Sequence, residues 1–207
     1  MEDVLDLYEE PYDEKRPTVC FDEKSYQMVS EIRVPLPAGP GQTLRYDCEY
    51  KREGVRNLFV FFEPHAGWRE IVVTEQRAKR DFAEQMRWLV EERYPEAERV
   101  RVVLDNLNTH RLSTLYETFP AERARAIIRR LELHYTPKHA SWLNMVEIEL
   151  SVLERQCLDR RIGSEALLRS ETRAYVRRRN EARAAVRWRF STSKAREKFE
   201  RLYPSTS

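Results

Sequence analysis

Three places in this 207-residue sequence set a carboxylate where it can do chemistry. Asp22 follows the apolar run Val19-Cys20-Phe21, and Asp105 follows Val102-Val103-Leu104, so two acids stand at the ends of expected buried strands. Burying a lone carboxylate within a sheet is costly, whereas at a strand end a cation can pair with it on a rigid support. A third acid is available from Glu147, Glu149 or Glu154 in the segment from Trp142 to about Leu158. At about 100° per residue from Leu143, the apolar stripe spans roughly 280° to 360°, with Glu147 near 40°, Glu154 near 20° and Glu149 near 240°. Glu147 borders that stripe one turn into the helix, and the geometry leaves Glu149 and Glu154 open. Hard oxygen ligands without a Cys or His cluster favour magnesium or manganese over zinc. Two such ions about 4 Å apart would activate a water or 3′ hydroxyl and stabilise the leaving oxygen in an in-line displacement at phosphorus. An Asp after a strand also serves as a turn residue or helix cap, so the reading depends on the three acids converging.

The elements that must position these acids can be read from periodicity. Thr18 to Phe21 and Ser25 to Val34 read as two strands, and Pro35 to Gln42 as a turn or loop. Leu44 to Tyr50, Asn57 to Phe62 and Arg69 to Thr74 are short β-favouring runs that suggest an antiparallel meander. Lys79 to Arg93 has helical spacing and stops before Pro95, and Arg99 to Leu104 is a strand ending at Asp105. A helical region over Ser113 to Arg130, broken at Pro120, leads into a strand at Leu131 to Tyr135 and then the helix from Trp142. Beyond Gly163 the chain reads as Arg-rich helix to Ala185, a strand over Val186 to Phe190, and a last helix. This order predicts an α/β fold with a mixed central sheet flanked by helices on both faces, and it fits an RNase H-like core. Residues 1–16 read as a lead-in or linker and 17–207 as the domain, with a basic helical carboxy-terminal part.

Composition limits the partners. No stretch approaches the roughly 18 to 20 apolar residues of a membrane span, and Met1 to Glu14 is acidic where a secretory signal would be basic then apolar. A cytoplasmic, nucleoid-associated protein with neither a membrane nor a small-molecule partner is expected. Cys20, Cys48 and Cys157 are too far apart for a zinc or redox pair and read as reduced core residues. The net charge of +2 hides an asymmetry: positions 1–110 hold 16 basic and 23 acidic residues, and the remainder 21 and 12. A basic second half suits a phosphate backbone.

The segments Cys20-Phe21-Asp22-Glu23-Lys24, Val103-Leu104-Asp105-Asn106-Leu107-Asn108-Thr109-His110 and His134-Tyr135-Thr136-Pro137-Lys138-His139-Ala140-Ser141-Trp142-Leu143-Asn144-Met145-Val146-Glu147 resemble the three catalytic blocks of bacterial insertion-sequence transposases of the mariner superfamily. The resemblance runs from about Val4 through Leu202 and takes in Arg45-Tyr46-Asp47 and Glu63-Pro64-His65-Ala66-Gly67-Trp68. It implies an Asp-Asp-Glu triad in which Glu147, after the Asn-x-x of Asn144-Met145-Val146, is the third member. It also implies an RNase H-like fold, two Mg2+ or Mn2+ ions, metal-dependent cleavage at transposon ends and strand transfer into target DNA, usually at a TA dinucleotide in relatives. A homodimer on DNA follows, because transposition joins two ends. Family members begin with helix-turn-helix modules, and this chain opens at what resembles the linker, so only the catalytic half is expected.

Around the triad, Asn106, Asn108 and His110 are candidates to orient Asp105 or touch DNA, with His110 also a candidate ligand, and Glu23 should point away from Asp22. Lys138, His139 and Trp142 could hold a phosphate or stack on a base, Trp142 alternatively anchoring the core. Arg177, Arg178, Arg179, Arg183, Arg187 and Arg189 surround Trp188 and offer DNA-backbone contacts. Two other readings fit the same residues: a non-catalytic DNA-binding or dimerising remnant, and a general RNase H-like nuclease, which digestion of RNA–DNA hybrids would distinguish.

Overall fold

The computed structural model describes residues 1–202 other than Pro35, Leu44, Tyr46 and Asp47. A five-stranded sheet in the order β3-β2-β1-β4-β5 forms its centre. The strands are β1 (Thr18–Glu31), β2 (Tyr50–Glu63), β3 (Trp68–Thr74), β4 (Val100–Leu104) and β5 (Leu131–Tyr135). β1, β2 and β3 form an antiparallel meander; its last two strands cover the expected Asn57 to Phe62 and Arg69 to Thr74, but its first strand is β1 and not the Leu44 to Tyr50 run. β4 runs parallel to both β1 and β5.

The two strands expected at Thr18 to Phe21 and Ser25 to Val34 are one. Its pairing with β2 runs from Cys20↔Phe62 to Gln27↔Val55 without interruption, because the ladder is made by backbone groups that Asp22-Glu23-Lys24 leave intact. A register shift follows between Gln27 and Val29, and β1 ends at Glu31. The strand expected over Leu44 to Tyr50 and the Arg45-Tyr46-Asp47 segment lie partly outside the described residues; β2 itself begins at Tyr50.

Apolar side chains alternate through the sheet and fill both faces, as a sheet covered on two sides requires. On one face Val19, Phe21, Phe59, Phe61, Val102 and Leu104 pack under three helices. These are α2 (Lys79–Trp88), widened at its end into a π-helical turn (Leu89–Arg93), α3 (Ser113–Thr118) and α4 (Ala121–Arg130). The break between α3 and α4 falls where expected: Phe119 is extended at φ −117°, ψ 158°, the conformation forced on a residue before proline.

The opposite face, with Cys20, Leu58, Val60, Phe62 and Val103, receives four helices: α1 (Glu2–Glu9), α5 (Val146–Leu153), α6 (Glu165–Glu181) and α7 (Thr192–Lys198). The opening segment thus contributes to the core, with Val4 and Leu5 fully buried. The helix expected from Trp142 starts later. A 3-10 turn (Ser141–Leu143) precedes α5, which passes into a π-helical turn (Glu154–Leu158). Val186 to Phe190 forms no strand: it joins no ladder and is held where the Val186 amide donates to the Pro64 carbonyl and where Trp188 and Phe190 pack on the core. Cys20 and Cys157 are buried, whereas Cys48 is exposed on the polar β1–β2 connection, where there is no core to enclose it.

A buried ion cluster locks α5 to the sheet. Arg69 of β3 and Glu149 of α5 have side chains only 0% and 1% exposed and pair at 3.0 Å. Arg179 of α6 reaches the same carboxylate at 2.8 Å, and the Tyr175 hydroxyl donates to it at 2.5 Å. Removing one member strands a buried charge, so Arg69→Ala or Glu149→Ala should each destabilise the fold by about 3–5 kcal/mol. The double replacement Arg69→Met, Glu149→Leu should recover much of that loss. Urea midpoints would decide, and a single-variant cost below about 1 kcal/mol would remove the cluster from the account of α5 placement.

Candidate active site

Asp22 and Asp105 come together because of strand register. The last β1–β4 pair is Cys20↔Val103, and each acid lies two residues beyond it. β4 ends at Leu104 while β1 continues, paired only with β2, so the sheet parts at this point. The expectation that both acids end their strands holds for Asp105; Asp22 lies inside β1, at the place where its parallel neighbour stops. A crevice beyond the carboxyl ends of parallel strands is a usual ligand position in such sheets.

Glu147 is the second residue of α5, whose start is pinned to β1. The buried Asn144 side chain donates from Nδ2 to the Phe21 carbonyl at 2.9 Å, immediately before Asp22. The Asn144 carbonyl in turn accepts from the Glu147 amide at 3.0 Å. Tyr8 of α1 adds a third tie, its hydroxyl donating to the Leu143 carbonyl at 2.9 Å. The side chain of Asn144 therefore measures out the gap between β1 and α5.

Asp22 and Glu147 share an open cleft of about 510 Å³, together with Lys24, Leu150, Ser151, Glu154 and Arg155. The other helix glutamates are otherwise engaged: Glu149 in the buried cluster, and Glu154 with Lys24 at 2.8 Å. Burial pushes the Asp22 carboxyl up to about 7; the Glu23 amide, at 2.7 Å from Oδ1, pulls it down, and the neighbouring Asp105 and Glu147 carboxylates add to the rise. Desolvation is thus the main cause, and the two nearby carboxylates reinforce it. A divalent cation would offset the repulsion, and the carboxylate oxygens suit magnesium or manganese. Among the described residues no group of three or more His, Cys, Asp or Glu side chains is gathered closely enough to hold a metal ion as it stands.

Asp105 is oriented by His110 rather than by the asparagines. His110 is fully buried between Phe21 and Phe82, with ring centroids 5.4 and 4.9 Å away. Its Nδ1 lies 2.6 Å from Asp105 Oδ1 and its Nε2 3.0 Å from Glu23 Oε1. Burial lowers its pKa, but the hydrogen bonds to Asp105 and Glu23 outweigh this and raise it to about 9, so both nitrogens donate. Neither is left for a metal. Glu23 does point away from Asp22, as alternation requires, and its side chain is 2% exposed against His110. Asn106 is exposed, and Asn108 accepts from Arg111 at 2.9 Å.

The expected DNA-contacting residues are dispersed around this centre. Lys138 and His139 are exposed on the loop before α5, with His139 at φ 65°. Arg177 and Arg178 are exposed on α6, and Arg183 just beyond it at φ 43°. Arg179 is committed to Glu149. The sequence reading missed the roles of Tyr8, Arg69 and the Asn144 side chain, which act through contacts too distant along the chain to leave a local pattern. Among the described residues no helix is long and apolar enough to cross a membrane.

Two comparisons bear on this geometry. The chain is similar in structure to the Mos1 mariner paired-end complex with Mn, at a TM-score of 0.52 and 17% identity over 87% of this chain and 56% of that one. It is likewise similar to the Mos1 transposase paired-end complex with the left transposon end, at 0.52 and 16% over 78% and 48% respectively. The chain thus spans about half the length of the Mos1 chains it matches, and the fold they share is RNase H-like. No curated protein sequence matches it. The model of the DDE superfamily endonucleases matches residues 17–169, a span that carries both parted strands and the helix of Glu147, and the chain belongs to that superfamily.

Proposed function

We propose that this chain is the catalytic core of a DNA transposase, which cleaves DNA at transposon ends and transfers the strand into target DNA. The observation that carries the reading is the matched register of Asp22 and Asp105 where β1 and β4 part, with Glu147 brought to the same cleft by Asn144. Asp22, Asp105 and Glu147 are the catalytic metal-holding acids. Family membership and the manganese-containing Mos1 complex support two Mg2+ or Mn2+ ions. Such ions, when bound, supply an activated water or 3′ hydroxyl and stabilise the leaving oxygen.

The chain's own residues do the positioning. His110 holds one oxygen of Asp105 and so fixes how that carboxylate is turned. Lys24 and Arg155 place cations on the cleft wall, where a scissile phosphate would sit. Lys138, His139, Arg177, Arg178 and Arg183 remain available for the DNA backbone; Arg179 serves the ion cluster. The partners are transposon-end and target DNA, engaged by a homodimer.

Metal-dependent nicking and strand transfer on a labelled duplex tests the reading. Asp22→Ala, Asp105→Ala and Glu147→Ala should each reduce product to background in magnesium and manganese. Activity that survives all three would sink it; digestion of RNA–DNA hybrids in preference to duplex DNA would favour a general nuclease instead.

His110→Ala and Glu23→Gln should weaken Mn2+ binding about 10- to 100-fold by calorimetry, the usual cost of losing an outer hydrogen bond to a ligand. Unchanged affinity in both would show that Asp105 needs no such support.

Asp22 also makes a stability prediction. Its folded-state pKa lies above the unfolded one, so its contribution is fully present below about pH 4 and is lost as pH rises through about 7. In chelator, Asp22→Asn should therefore leave stability near pH 4 almost unchanged and raise it by on the order of 2–4 kcal/mol at pH 8. Parallel wild-type and variant urea curves across that range would contradict the assigned burial of the Asp22 carboxyl.

A further inference from the structure

The loop leading into α5 ends in an aromatic stack that the cleft does not use. Trp142 lies nearly parallel to Trp188, with centroids 6.4 Å apart and planes 14° from each other. Phe190 meets Trp142 edge-on at 5.6 Å, and Phe199 packs at 6.0 Å. Trp188 is itself backed by Tyr8 at 5.3 Å, so the stack is anchored in α1. Trp142 caps it and is 42% exposed, a large apolar surface to leave in water above rings that are partly or fully covered.

The chain segments that carry these two tryptophans are rich in exposed cations. Lys138 and His139 are exposed four and three residues before Trp142, and Arg187 and Arg189 are exposed on either side of Trp188. Among the described residues these four side chains form no ion pair. An exposed aromatic ring with unpaired cations close by in the chain is suited to a base with its phosphates, since stacking is tolerant of sequence and cations track the backbone. An apolar protein partner would leave those cations desolvated and unpaired.

We infer that Trp142 is a stacking platform for one unpaired nucleobase of a DNA strand whose phosphates run past Lys138, Arg187 and Arg189. Trp142 precedes Glu147 by five residues, so their Cα atoms are at most about 18 Å apart. The stacked base accordingly lies within a few nucleotides of the phosphate in the Asp22–Glu147 cleft. This rests on the reading of the chain as a DNA-processing enzyme, and it adds that a stretch of the bound DNA near the cleaved bond is held single-stranded.

The test uses the full chain and a duplex carrying a short single-stranded tail, with 2-aminopurine placed at successive tail positions. Wild-type protein should alter the fluorescence at one position as the analogue stacks, and anisotropy should show preference for tailed over blunt duplex. Trp142→Ala should weaken tailed-duplex binding on the order of 10-fold and abolish the positional signal, while leaving blunt-duplex binding unchanged. Trp142→Phe should restore both in part, which separates stacking from damage to the fold. Equal tailed-duplex affinity and an unaltered 2-aminopurine signal in Trp142→Ala would overturn the platform. So would a DNA-independent dimer in sedimentation that the same variant dissolves, because the face would then belong to a second copy. Failure of the transposase reading looks different: wild-type protein would bind neither duplex.

Discussion

Everything at the site depends on where two parallel strands stop pairing. β1 and β4 run side by side only from Thr18↔Arg101 to Cys20↔Val103, after which β4 ends and β1 goes on with β2 alone. Parallel pairing fixes the register, so residues two beyond the last pair lie abreast and on the same face. Those residues are both aspartates. The fold thereby buries a carboxylate and sets like charges beside it; burial chiefly, with the neighbouring acids adding to it, raises the Asp22 pKa to about 7, at a cost in stability. Uninterrupted pairing of β1 with β2 on its other side keeps the strand from relaxing away from this repulsion.

The third acid has to be delivered across a gap from a different layer, and two devices set its position. Asn144 fixes the distance, since its amide donates to the backbone of β1 at Phe21. The Arg69–Glu149–Arg179 cluster fixes the rotation. Glu149 and Glu147 are two residues apart on one helix, so their side chains diverge by about 200°. Holding Glu149 in the buried cluster therefore turns Glu147 away from the core and toward the open cleft.

This division of labour explains what could be read in advance. Strand and helix positions were legible because apolar periodicity records which faces are buried, and Asp22 and Asp105 stood out as acids ending apolar runs. Glu147 was harder: helical phase alone left Glu149 and Glu154 open, because a charged residue reads as solvent-facing until its counter-ion is known. Arg69 is eighty positions away from Glu149 and leaves no local mark. The continuity of β1 was hidden for a related reason, since Asp22-Glu23-Lys24 interrupts the side-chain pattern but not the backbone ladder. The same polar interruption that obscures the strand is what sets Asp22 where β1 and β4 part, and the place of His110 is hidden because its two carboxylate partners are far apart in the chain.

The charge asymmetry of the sequence shows how much of a basic surplus the fold itself consumes. Acids gathered to hold metal repel a phosphate backbone, so a protein that brings the two together must supply cations nearby. The surplus of the second half has that sign, but net charge carries no address. Arg179 is spent on Glu149, Arg160 on Glu171 and Arg123 on Glu91, each neutralising a carboxylate of the protein. The cations left in solvent include Lys138 in front of α5, Arg177 on α6, and Arg187 and Arg189 around Trp188. Three of these four lie within four residues of Trp142 or Trp188 in the chain. Position in the fold, rather than the size of the surplus, decides which of these cations would be free to meet a phosphate backbone.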